Sequence, residues 1–130
     1  MPRTLEVEKH LNYLKNLEKT LDEWSFLRGE YMRMDGLYWG LVTLFTLRPE
    51  LQPCSEEFDA LAPLTREQIV DFCMQCQGDA GGFSGHVGLD VHVLSTLSAI
   101  QVLFMVDALD DPRFTREKHT ECKSQLTVNY

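Results

Sequence analysis

Apolar residues recur at helical intervals near the start of the chain: Val7, Leu11, Leu14 and Leu21, with charged residues between them. This period predicts an amphipathic helix over 5–20. From Gly36 to Leu47 the chain reads GLYWGLVTLFTL, apolar nearly all round. A helix of that kind is buried on several sides, and Pro49 stops it. The stretch PELQPCSEEFDALAP, with three prolines and four acidic residues, reads as an exposed loop. Thr65-Arg-Glu-Gln68 has the spacing of a capping box, and Leu64 and Ile69 occupy the positions of a hydrophobic staple. Ile69, Phe72, Cys73 and Cys76 then share one helix face. DAGGFSGHVG, with four glycines in ten residues, forces a loop. A longer helix follows over 91–109, its face formed by Val93, Leu97, Ile100 and Phe104.

Residues 65–109 thus form one unit, an amphipathic helix, a glycine-rich loop and a nearly all-apolar helix. Residues 5–47 repeat the plan more weakly, which suggests a repeat architecture. Each very apolar helix needs neighbours on more than one side, and two hairpins cannot provide enough of them. The expected fold is therefore all-α, an open section of a larger helical array with about four helices. Residues 1–110 carry this pattern, and 111–130 form a divergent polar tail.

Composition narrows the function. The chain has 130 residues, 44% of them apolar, with a formal net charge of -8. That fits one globular domain, and the acidity disfavours nucleic acid as a partner. No apolar secretory segment opens the chain, so its four cysteines are not expected to form a disulfide framework, and a cytoplasmic setting is expected. The apolar run from Val93 to Leu109 spans 17 residues and contains Asp107, so a buried helix is a better reading than a transmembrane segment.

Candidate chemistry is sparse. Cys73-Met-Gln-Cys76 supplies two zinc ligands where a structural site wants four, and both lie on the apolar face, where free cysteine packs as a small hydrophobe. Asp90 and His92, with His86 nearby, could be read as metal ligands, but an N-cap role for Asp90 is the commoner arrangement. GGFSGHVG matches no phosphate-binding loop and is read as a structural turn. Tyr38, Trp39, Phe45 and Phe104 fall on faces expected to be buried, and would equally suit the wall of a hydrocarbon pocket. No catalytic residue and no metal ligand is assignable from these patterns.

Three runs, EKHLNYL, RMDGLYWGL and CQGDAGGFSGHVGLDVHVLSTLSAIQVL, together resemble the β subunits of Rab geranylgeranyltransferase over residues 6–110. The CQ…GGF element is common to protein prenyltransferase β subunits, and YWGL with D-x-H-x-L-x-TLSA-x-Q points to the Rab-directed type. The resemblance implies an α/α barrel of helix hairpins paired with an α subunit. It implies transfer of a geranylgeranyl group from geranylgeranyl diphosphate to carboxyl-terminal cysteines of a Rab GTPase presented by an escort protein. In that family a zinc ion activates the accepting thiol. The zinc ligands and the diphosphate clamp lie in later segments than any seen here, so no zinc is expected on this chain and the chain alone is expected to be inactive.

The same resemblance places Asp35 and Leu97 at the isoprenoid pocket, with Trp39 beside it. Asp35 stands where a small side chain leaves room for the longer lipid, and a carboxylate facing hydrocarbon is costly unless protonated or paired. Val91 replaces a proline usual in the family. The alternative is a non-catalytic helical interaction module that binds the α subunit. A section of a terpene-cyclase-like toroid ranks lower, because its aromatic repeats and acidic motif are not seen.

Overall fold

The structure, a computed structural model, describes residues 4–20 and 23–114. Leu21, Cys122 and the polar tail beyond Phe114 lie outside those residues. Among the described residues the regular elements are all helical: α1 (Val7–Asn16), α2 (Glu23–Arg28), α3 (Arg33–Leu47), α4 (Glu56–Leu61), α5 (Arg66–Gln75) and α6 (Val93–Met105), with 3-10 turns at Leu17–Thr20 and Glu30–Met32. No helix among them is long and apolar enough to cross a membrane.

Local chemistry explains most of the boundaries. Thr65 accepts from the Gln68 amide while the Gln68 side chain accepts from the Thr65 amide, so the capping box that starts α5 is complete. The prolonged loop expected over residues 49–63 is interrupted by α4. Ser55 caps it by accepting from Phe58 N at 3.1 Å, and acidic side chains in its first turn suit the helix dipole. Phe58 is fully buried and its ring stacks on Phe45 of α3, with centroids 5.8 Å apart. A ring so buried stabilises by about 1.5–3 kcal/mol, enough to hold a helix too short to form alone.

α6 is shorter than the expected 91–109, and Asp90 does not cap it. Val91 pairs with Ser84 in an antiparallel bridge, and His92 N donates to Phe83 O at 3.0 Å, so the backbone stays extended through His92. The helix begins only afterwards, with His92 Nδ1 accepting from Leu94 N at 3.2 Å. At the other end Asp107 adopts φ 52°, Ala108 N donates to Leu103 O and Asp107 N donates to Phe104 O. This is a Schellman stop with an aspartate where glycine is usual. Arg66 reinforces it by donating to Val106 O and Asp107 O at 2.7 and 2.6 Å.

These contacts fix the directions of the helices. Arg66, at the start of α5, meets the end of α6, so the two are antiparallel. Cys73, near the end of α5, touches Met34 at the start of α3, with 3.9 Å between the sulfurs. α3 is therefore antiparallel to α5 and parallel to α6. The glycine-rich loop joins the units: Gly85 O accepts from Met34 N at 2.9 Å, satisfying an amide in the first turn of α3 that has no partner within its own helix. Met34, Leu41, Leu44, Ile69, Cys73, Phe83, Val102 and Leu103 fill the core between them.

Candidate functional site

The seam between α3 and α6 is built from small residues. Ser95, Ser98, Ala99 and Val102 of α6 are buried against it. Within it the Ser98 hydroxyl donates to Asp35 Oδ1 at 2.6 Å, and both side chains are buried. The carboxylate placed at the pocket by resemblance thus has a hydrogen-bond donor, which offsets part of the cost of burying it.

Trp39 and Leu97 lie close to this bond along the chain. Trp39 stands one helical turn after Asp35, and Leu97 immediately precedes Ser98. Yet Asp35 is only 8% exposed, whereas Trp39 is 63% and Leu97 55% exposed. Val93 and Phe104, which share the Leu97 stripe, are exposed to 68% and 71%. The face of α6 expected to be buried therefore points outward, and so do Trp39 and Phe104 among the four aromatics expected inside. Tyr38 and Phe45 are half-buried, with the Tyr38 ring edge-on to Trp39 at 5.0 Å. The physical reason is close approach: parallel helices in contact favour serine and alanine between them, which leaves the bulky side chains of an all-apolar helix for its other sides.

A separate cleft of about 380 Å³ lies where α1 and the turns after it meet α3 and α5, lined in part by Leu14, Leu37, Leu64, Phe72 and His86. Asp35, Trp39 and Leu97 do not line it.

Among the described residues the core cysteines and the histidines of the glycine-rich loop have other roles. Burial pushes the Cys73 thiol up to about 12 and the Cys76 thiol up to about 11. Both thiols are free and sit in the core, as packing groups rather than thiolate ligands. His86 Nδ1 lies 3.4 Å from Glu30 Oε1, with its ring edge against Phe72, and His92 is used as a cap. Among the described residues no three His, Cys, Asp or Glu side chains gather.

Sequence comparison decides the family. The profile of the prenyltransferase alpha-alpha toroid domain matches residues 5–128. The chain belongs to that family. Three of its relatives are a probable geranylgeranyl transferase type-2 subunit beta of Dictyostelium discoideum (36% identical over 104 residues, 80% of this chain and 27% of the relative), the type-2 subunit beta 1 of Arabidopsis thaliana (36% over 99 residues, 76% and 27%) and the type-2 subunit beta of Saccharomyces cerevisiae (33% over 108 residues, 82% and 30%). The chain thus spans less than a third of the length of these relatives. For a member of a toroid family the helix directions have a plain meaning. α3 and α6 are successive parallel staves, α5 is the antiparallel return between them, and the α6 side that bears Val93, Leu97 and Phe104 is exposed.

Ser98 was missed by sequence reasoning as a site residue. Its partner lies 63 positions away in the chain, and nothing local marks the pairing. The signal that could have found it is the conflict at Asp35, since a carboxylate among apolar helices requires a donor, and Ser95, Thr96 and Ser98 are the hydroxyls of the facing stave, of which Ser95 and Ser98 are buried.

Proposed function

We propose that this chain forms part of the β subunit of a Rab-directed geranylgeranyl transferase and supplies a wall of its isoprenoid pocket. The observation that carries the reading is the open apolar side of α6, where Val93, Leu97 and Phe104 stand exposed within a chain of the toroid family. An isoprenoid chain is uncharged hydrocarbon and binds to such a wall by burying it. The relatives' names, geranylgeranyl transferase type-2 subunit beta, support geranylgeranyl transfer and an α-subunit partner. The donor geranylgeranyl diphosphate, the Rab GTPase acceptor with its escort protein and the cytoplasmic setting are part of the proposal and follow the sequence resemblance. Zinc and the diphosphate clamp belong, on this reading, to residues outside the chain, so the chain alone does not turn over.

The test is co-expression with a type-2 α subunit, followed by measurement of capture, zinc content, binding of a fluorescent geranylgeranyl diphosphate analogue and prenyl transfer. Capture with lipid binding and no turnover is expected. Turnover with stoichiometric zinc overturns the assignment of the chemistry to other residues. Capture without any lipid binding favours the non-catalytic interaction module.

A further inference from the structure

The structure assigns Ser98 a positioning role: its hydroxyl draws the Asp35 carboxylate into the α3–α6 seam and so keeps an anion off the face on which an uncharged hydrocarbon chain lies. The inference rests on the pocket reading above and concerns how that pocket tolerates an acid. Trp39, one turn further along α3, projects to solvent, and Leu97, the neighbour of Ser98, does likewise. Asp35 alone of the three is withdrawn, and it is withdrawn by a 2.6 Å bond from the adjacent stave.

An ionised carboxylate that loses a buried partner seeks water. Met34, Ala99 and Val102 are fully buried, whereas Trp39, four positions along α3 and so on nearly the same helix face as Asp35, is exposed; a released Asp35 side chain turns toward that exposed side. A released carboxylate there would hold water against the surface that hydrocarbon must dry. Ser98 thus acts on the ligand through Asp35 without touching it, and the pair makes the wall smooth and neutral although it contains an acid.

The experiment measures the affinity of the chain for a fluorescent geranylgeranyl diphosphate analogue in the parent, Ser98→Ala, Asp35→Asn and the double variant, with helix content followed by circular dichroism. Ser98→Ala is expected to weaken the probe roughly tenfold. The same substitution is expected to do nothing in the Asp35→Asn background, because a neutral amide tolerates the apolar face. Ser98→Cys, nearly the same size and a poor donor, should behave as Ser98→Ala does and serves if the alanine variant fails to fold. Unchanged affinity on Ser98→Ala overturns the proposal, and so does an equal loss in both backgrounds, which would mark a merely structural serine. A parent chain that binds no probe overturns the pocket reading itself and the role of Ser98 with it, an outcome distinct from the other two.

Discussion

Replacing Gly85 with alanine tests how the two helical units are joined. A Cβ built at Gly85 would stand 1.8 Å from Tyr31 O and 2.7 Å from the Tyr31 carbonyl carbon. A carbon and a carbonyl oxygen rest about 3.3 Å apart, so the overlap is roughly 1.5 Å. The obstacle is backbone rather than the end of a pliable side chain, so loop and chain must separate. Separation strains or breaks the bond from Met34 N to Gly85 O. An orphaned buried amide costs about 1–3 kcal/mol, and forced overpacking adds about 1–3 kcal/mol. The expected loss is therefore about 2–6 kcal/mol, a large part of the stability of a small domain. Gly36→Ala is the control, because nothing stands within 4 Å of a Cβ there. In a helix interior that exchange gains about 0.5–1 kcal/mol. Urea unfolding followed by far-ultraviolet circular dichroism, at low protein concentration, reads both. A Gly85→Ala midpoint equal to that of the parent would refute the docking of this loop on Tyr31 and α3.

Asp107→Gly should stabilise the chain by about 1 kcal/mol in the same assay, because it relieves a left-handed residue at the end of α6; a loss would mean that the aspartate side chain does work there. Cys73 holds its proton in the folded chain up to about 12 against an ordinary 9.0 because burial disfavours the thiolate. Its contribution is therefore whole below pH 9 and is lost as pH rises toward 12, by about 1 kcal/mol between pH 9 and 10. Cys76 acts in the same direction, and Cys73→Ala should flatten the pH slope of the unfolding midpoint. Peptide mapping after brief alkylation should find exposed Cys54 modified while Cys73 and Cys76 stay protected, and equal labelling of all three would contradict their burial. Leu97→Lys or Phe104→Glu should reduce self-association in light scattering while leaving the urea midpoint within about 0.5 kcal/mol of the parent, since both side chains lie mostly in solvent; a large loss of stability would show that the α6 face is already covered.

Local signals were legible in the sequence and non-local ones were not. Thr65 and Gln68 announce a helix start because the whole device lies within four residues. The apolar run from Gly36 to Leu47 foretold α3, which begins slightly earlier, at Arg33. α4 hid among prolines because its anchor, Phe58, finds its partner on α3. The orientation of α6 was illegible for a different reason: a helix apolar all round has no preferred side, so bulk alone put Val93, Leu97 and Phe104 inward. The seam needed its small residues instead. The family was readable from the glycine-rich loop and the stretch after it, whereas the pairing that makes Asp35 tolerable needed coordinates.

The clasp between Gly85 and Met34 divides labour in a way that bears on evolution. Neighbouring staves are set in register by main-chain atoms, which every residue type possesses. Side chains on the open face of α6 are consequently released from holding the wall together. They can be exchanged, larger for smaller, without unhinging the frame that presents them, and under the proposed function such exchanges would suit the wall to cargo of another length.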